Sequence, residues 1–221
     1  DGSSRFGPNN RFASFGAVGA AWLFSEESFI KERGSFLSYG KLRGSYGITG
    51  SDLIGDYQYL DTYTVNSTSY GGSTSLYPSR LYNPSFSWEK TSKLEIALEL
   101  GFLKNRITLN AAWYRNRSGN QLVGIPLPGT TGFSSIQSNL PATVENKGME
   151  FEFNSTPVKT ENFQWNSSFN ISFPENKLVS FPGLDGSTYA NQYVVGYPTS
   201  IVKIYNYEGI DPNTGVNRFT D

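Results

Sequence analysis

The chain has 221 residues, a formal net charge of -1 and neither cysteine nor histidine, so thiolate and imidazole ligands, Cys nucleophiles and the usual Ser/His pairing are excluded; an enzyme would be left with carboxylate or cofactor chemistry. With no basic cluster there is no nucleic-acid footprint, and no apolar run reaches the roughly 18 residues of a transmembrane helix, although a barrel strand, apolar only at alternate positions, would escape that test. Aromatic residues at 15% with 23 glycines suit a barrel with aromatic girdles, a carbohydrate-binding β protein or an aromatic-rich β core.

Residues 1–4 are neither an initiator Met nor a signal sequence, so the native start, with any export signal, is expected upstream. Residues 2–11 read as a polar loop, and 12–24 as a strand of small residues ending in Trp22 and Phe24. Ser25 can cap about two turns of helix over 25–32, with Glu26 and Glu27 in the first turn where the dipole favours them. A strand follows over 37–48, with Leu42, Tyr46 and Ile48 on one face and Lys41, Arg43 and Ser45 on the other. Residues 49–87 form a connection too long for an ordinary connector, within which 57–67 alternates like a protruding hairpin arm.

Residues 88–114 carry the clearest signal. Leu94, Ile96, Leu98, Leu100 and Phe102 alternate with Lys93, Glu95, Ala97 and Glu99, a period of two that a helix would scatter. The segment 103–105 leaves room only for a tight turn, and Ile107, Leu109, Ala111 and Trp113 then alternate with Thr108, Asn110, Ala112 and Tyr114, giving a long β-hairpin. Its apolar face is aliphatic in the middle and aromatic towards both ends, as in a strand pair crossing a bilayer. Residues 118–142, rich in Pro and Gly, read as a second long excursion. In the strand 143–154, Met149, Phe151 and Phe153 oppose Glu150, Glu152 and Asn154. After a short link at 156–162, Phe163, Trp165, Phe169, Ile171 and Phe173 oppose Gln164, Asn166, Ser168, Asn170 and Ser172, with Ser167 as one polar intrusion. Beyond 174, alternating pieces at 189–197 and 201–207 precede a tight turn at Asp211-Pro212-Asn213-Thr214-Gly215.

Connections thus alternate between short (103–105, 156–162) and long (49–87, 118–142, 174 onward), the asymmetry of an outer-membrane barrel with short turns inside and long loops outside. A soluble β-sandwich that binds carbohydrate through exposed aromatics is the alternative, because alternation alone does not distinguish lipid from a protein core. No catalytic, cofactor or metal site is expected. Glu95, Glu99, Glu150 and Glu152 are imaginable as acid/base pairs, but alternate positions opposite apolar residues make them a hydrated inner face, as for Lys41, Arg43 and Lys93. Asp52, Asp56, Asp61 and Asp185 lack calcium-loop spacing and are expected to cap turns. Tyr57, Tyr59, Tyr70, Tyr77 and Tyr82, with Tyr63, are the candidates for stacking on a substrate, set against ordinary burial of aromatic area within the loop.

Five segments carry a resemblance: Asp1-Gly2-Ser3-Ser4-Arg5-Phe6-Gly7 with Asn10-Arg11; Leu42 through Gly50; Asn83-Pro84 with Trp88-Glu89-Lys90-Thr91; Val144 through Glu150; and Gly209 through Gly215. In this order and spacing they resemble the SusC/RagA-like TonB-dependent outer-membrane transporters of Bacteroidetes, over the later half of the barrel. The resemblance implies an all-β fold, an antiparallel transmembrane barrel segment with long extracellular loops, and residues 1–221 as a portion of one barrel without plug domain or terminal strand. Roughly six crossing strands against the roughly 22 of a plugged barrel agree with an incomplete wall. It further implies energy-coupled import of a glycan, or of peptide, with a SusD-like surface lipoprotein as lid, outer-membrane lipid around the wall, and the TonB complex acting through parts outside this chain.

Overall fold

The computed structural model describes residues 1–31 and 36–220, with backbone alone at 67–70. Six strands form one antiparallel sheet in which neighbours follow chain order: β1 (Gly16–Trp22), β2 (Leu37–Ser51), β5 (Glu89–Phe102), β6 (Ile107–Pro126), β7 (Ser135–Lys159) and β8 (Gln164–Ser180). Between β2 and β5 the chain leaves the sheet to make a separate hairpin, β3 (Thr62–Tyr70) and β4 (Ser73–Arg80), and the last segment makes another, β9 (Asn206–Ile210) and β10 (Asn217–Thr220). The sheet is an open barrel wall with β1 and β8 at its edges. Connections at 23–36, 103–106 and 160–163 lie at one end, and those at 52–88, 127–134 and 181–205 at the other.

Register is unbroken over the central hairpin, from Lys90↔Gly119 to Phe102↔Ile107, as its alternation predicts. The turn is tight enough that Leu103, Lys104 and Asn105 all take positive φ, between 52° and 59°, a region unfavourable to side chains. Two donors there are held from outside the turn, Leu103 N by Phe36 O at 3.1 Å and Lys104 N by Ser38 Oγ.

Several expectations are corrected. The excursion at 118–142 is mostly strand: β6 runs to Pro126 and β7 starts at Ser135, leaving only 127–134 as loop. A bulge at Asn120 (φ 59°) breaks the ladder between Gly119↔Thr143 and Gln121↔Leu140, and Pro141, which has no N–H to give, sits in that break. The arm lies at 62–80 rather than 57–67, turning on Gly71 and Gly72, whose φ of 57° and 79° make the primed turn that suits a hairpin. The helix is a single turn, Ser28–Lys31, after a 3-10 turn at Phe24–Glu26; Glu32 lies outside the described residues. Ser25 does not cap it but is buried, with no partner for its hydroxyl among the described residues. The pieces at 189–197 and 201–205 are turns and irregular chain, broken at Gly196 and Pro198, while the turn at 211–215 is as expected: Asp211 Oδ1 accepts from Asn213 N at 2.8 Å and Thr214 N at 3.2 Å, and Gly215 has φ 72°.

Candidate functional site

Because directly paired residues share a face, the register sorts the sheet into rows. One row reads Gly44, Ile96, Trp113, Met149, Phe173, and the next Leu42, Leu98, Ala111, Phe151, Ile171. A third adds Leu100, Leu109, Phe153 and Phe169. No charged residue interrupts these rows, and they stand in the open, Ile96 at 49% and Phe169 at 60% exposure. From Leu94 to Phe102 the band extends about 27 Å along the strand at about 3.4 Å per residue.

Towards the long-loop end the band stops at different rows on different strands. The outward apolar run ends at Ile48 on β2, one row lower at Leu94 on β5, and one row lower again on β6, β7 and β8, where Trp113, Met149 and Phe173 are followed outward by Arg115, Lys147 and Glu175. The boundary thus slides about 14 Å in register between β2 and β6, at about 3.4 Å per residue, and is level in register from β6 to β8.

The opposite face is polar. Arg43 bridges two carboxylates, Glu95 and Glu99, the latter at 2.9 Å, and Lys41 joins Glu99 at 3.5 Å. Asn110 and Asn154 donate to the two oxygens of Glu152 at 3.3 and 2.8 Å. Arg43, Glu99, Asn110, Glu150, Glu152 and Asn170 line a recess of about 410 Å³. Glu95 and Glu99 are thus offset by Arg43 and Lys41, while Glu152 is held by two neutral amides. Glycine lets the wall carry a large ring here: a Cβ on Gly148 would stand 2.8 Å from Phe173 O and 2.9 Å from the Tyr114 hydroxyl, its cross-strand partner.

At the long-loop end three separated segments meet. Phe6, Tyr59, Phe86 and Trp88 are buried together, with Phe6 5.8 Å from Phe86 and 5.3 Å from Trp88 between ring centres. Polar brackets fix this node: Trp88 Nε1 donates to Arg11 O, Asn10 Nδ2 to Pro84 O, and Arg5 reaches Asp52 O and the Asp56 carboxylate. Buried Asn83 donates to Gln137 O at 2.7 Å and accepts from Ser85, while Asn139 donates to Ser87 O and Asn120 O and accepts from Ser87 N. The TonB dependent receptor-like β-barrel model matches residues 1–219.

The chain belongs to the TonB-dependent receptor β-barrel family. Among relatives of this family, TonB-dependent receptor P39 of Formosa agariphila is 34% identical over 210 residues, covering 95% of this chain and 20% of that protein. TonB-dependent receptor SusC of Bacteroides thetaiotaomicron is 35% identical over 195 residues, 86% of this chain and 19% of SusC. A chain in the structure of the RagAB peptide transporter superposes with a TM-score of 0.82 at 29% identity, over 99% of this chain and 24% of that one; the "open-open" state of the RagAB peptide importer gives 0.77. This receptor chain therefore spans about a fifth of the curated relatives it matches. The family is one of receptors and transporters rather than enzymes.

Two of the motif segments, around Arg5 and Trp88, meet in the node, and Gly50 at the end of a third lies against Phe15, whose ring packs on Trp88; spacing alone gave no sign of this. Of the tyrosine candidates, Tyr59 is buried at 7% exposure, its ring against Gly7 in the node. Tyr57, Tyr63, Tyr77 and Tyr82 are exposed, and the Tyr70 side chain lies outside the described residues. Asp52 and Asp56 pair with Arg5. The sequence reading missed the rings of Phe181, Tyr189 and Tyr193, stacked at 5.8 and 6.0 Å around a recess of about 330 Å³ with Val123, Leu140 and Leu178. Their alternation suggested strands, whereas they fold back onto the polar face, pinned where Leu178 exchanges hydrogen bonds with Gly196 and Tyr197.

Proposed function

We propose that this stretch is part of the later half of the barrel of an outer-membrane TonB-dependent importer that takes up a bulky nutrient, oligosaccharide or peptide, with a SusD-like lipoprotein closing its mouth. One observation carries the reading: an uncharged band across five strands, backed by a face of paired charges. Lipid suits the band because every backbone group in the sheet interior is paired within it. A soluble sandwich would instead cover the band with a second sheet, and the described residues supply none.

In this placement the three long connections rim the external mouth. The arm β3–β4 presents Tyr63, Val65, Leu76 and Pro78 on one face, all from opposed positions, and a two-stranded hairpin is marginal by itself. We assign that face to the lipoprotein and the exposed Tyr57, Tyr77 and Tyr82, with the recess at Tyr189 and Tyr193, to passing substrate. SusC and RagAB among the similar proteins support importer chemistry, RagAB being described as a peptide transporter. Fractionation of cells expressing the full-length protein tests the placement: it should sediment with outer membrane and need detergent to stay monodisperse, and full solubility without detergent would overturn it.

A further inference from the structure

Where residues 181–199 return to the polar face they close a recess unlike the rest of that face. Buried Leu140, Leu178 and Phe181 line it together with half-buried Val123, Tyr189 and Tyr193. Its volume, about 330 Å³, is at the lower end of the range for small-ligand sites. Among the described residues no charged group lines it. The polar side chains of the lining are Gln121, Thr199 and the two tyrosines, and Thr199 is already committed, because Asn176 Oδ1 accepts from its backbone N at 2.7 Å and from its hydroxyl at 2.8 Å.

This chemistry separates the two nutrient classes. A sugar ring carries hydroxyls around its edge, and each one buried against Leu140, Leu178 or Val123 without a partner weakens binding roughly tenfold. An apolar side chain needs no such partner, and its burial is favourable in proportion to its area.

The adjoining surface answers the remainder of a peptide. Asn176 Nδ2 donates to Asn146 Oδ1 at 2.7 Å; with Thr199 on one side and Asn146 on the other, this amide pair stands between the apolar recess and an open one of about 710 Å³ that contains Asn116, Lys93 and Glu150. Lys93 lies between Gly47 and Asn116 in its row, and Glu150 between Ala112 and Ser172. Neither has an ion pair among the described residues. One unpaired cation and one unpaired anion complement the carboxylate and ammonium ends of a short peptide, whereas a neutral glycan leaves both unanswered.

We propose that the recess under 181–199 is a specificity subsite that takes the apolar side chain of a peptide and excludes sugar, an inference that rests on the importer reading and narrows its substrate to peptide.

The test measures binding to full-length protein purified in detergent, by calorimetry, with three probes: the tripeptides Ala-Phe-Ala and Ala-Ser-Ala and a neutral trisaccharide of glucose. The parent should bind Ala-Phe-Ala roughly tenfold more tightly than Ala-Ser-Ala, and more tightly than the trisaccharide. Val123→Phe, which fills the recess from β6, should bring the ratio of the two peptide affinities close to one, and Tyr193→Phe, which keeps the ring, should preserve it. Both peptides are read on the same preparation, so a partly misfolded variant loses binding sites for each alike without altering the ratio. Equal binding of the two peptides by the parent, tighter binding of the trisaccharide, an unchanged ratio in Val123→Phe, or a lost ratio in Tyr193→Phe would each overturn the inference. Outer-membrane sedimentation of the parent, measured alongside, separates the two readings: a sedimenting parent without the preference refutes only the subsite, and a soluble parent that keeps the preference refutes only the importer placement.

Discussion

Replacing Leu98 by arginine probes the band at its middle. Leu98 lies in the row with Leu42, Ala111, Phe151 and Ile171, and Leu94 and Phe102 are each four residues away along β5. That is about 14 Å of strand in either direction, or about 11 Å of depth at a tilt near 35–40°. A guanidinium there finds no partner in its row and is too deep to bring its head easily to either interface, so the cost should be the midplane value of about 2–4 kcal/mol. Arginine at Ile48, the last apolar residue on β2, should cost only about 0–1 kcal/mol because it is at the boundary. Arginine at Asn170, on the polar face and directly opposite Glu152, should be tolerated. Unfolding midpoints of full-length protein folded into lipid vesicles, compared across Leu98→Arg, Ile48→Arg and Asn170→Arg, read this profile. Equal sensitivity at Leu98 and Asn170 would refute the assignment of faces, and equal cost at Leu98 and Ile48 would refute the placement of Ile48 at the edge of the band.

Gly148→Ala places a methyl group against the Phe173 carbonyl, which cannot yield as a side-chain tip would; it should destabilise by about 1–3 kcal/mol, read from the same midpoints, and Tyr114→Phe should not rescue it. Asn139→Ala removes a side chain with three backbone partners and should cost about 1–3 kcal/mol, with faster amide exchange at Ser87 as its local signature. Deleting residues 70–82 from the full-length transporter, with surface expression verified, should impair uptake or lipoprotein co-purification; if neither changes, the arm serves neither purpose.

The central hairpin and its faces are readable from sequence because a strand exposed differently on its two sides must alternate, and residues 88–114 do so with few exceptions. Where two opposing signals coincide, reading fails. Pro126, Pro128 and Pro141 marked 118–142 as loop, but Pro126 ends a strand and Pro141 occupies a break opened by a bulge, both places where a missing N–H does no harm. The alternation of 57–67 places the arm too early, because the Gly71-Gly72 pair is the more decisive local signal. Tyr59 and Tyr57 are indistinguishable by type and loop, and their opposite fates depend on Phe6 and Phe86, which approach from distant parts of the chain. The inward fold of Tyr189 and Tyr193 is likewise a long-range event. Paired charges such as Arg43 with Glu95 and Glu99 were placed on the correct face by alternation, but which of them bond is set by the cross-strand register, a property no single strand records.

The node of Phe6, Tyr59, Phe86 and Trp88 also divides the longest connection into a foundation and a superstructure. Residues up to Leu60 and from Asn83 onward are anchored to the wall, whereas 62–80 is a hairpin whose ladder closes on itself. Junctions at 61 and 81 are therefore natural seams for grafting: a foreign hairpin sewn in there would inherit a fixed footing while leaving the masonry below untouched, making the mouth of such a transporter interchangeable without redesigning its shaft.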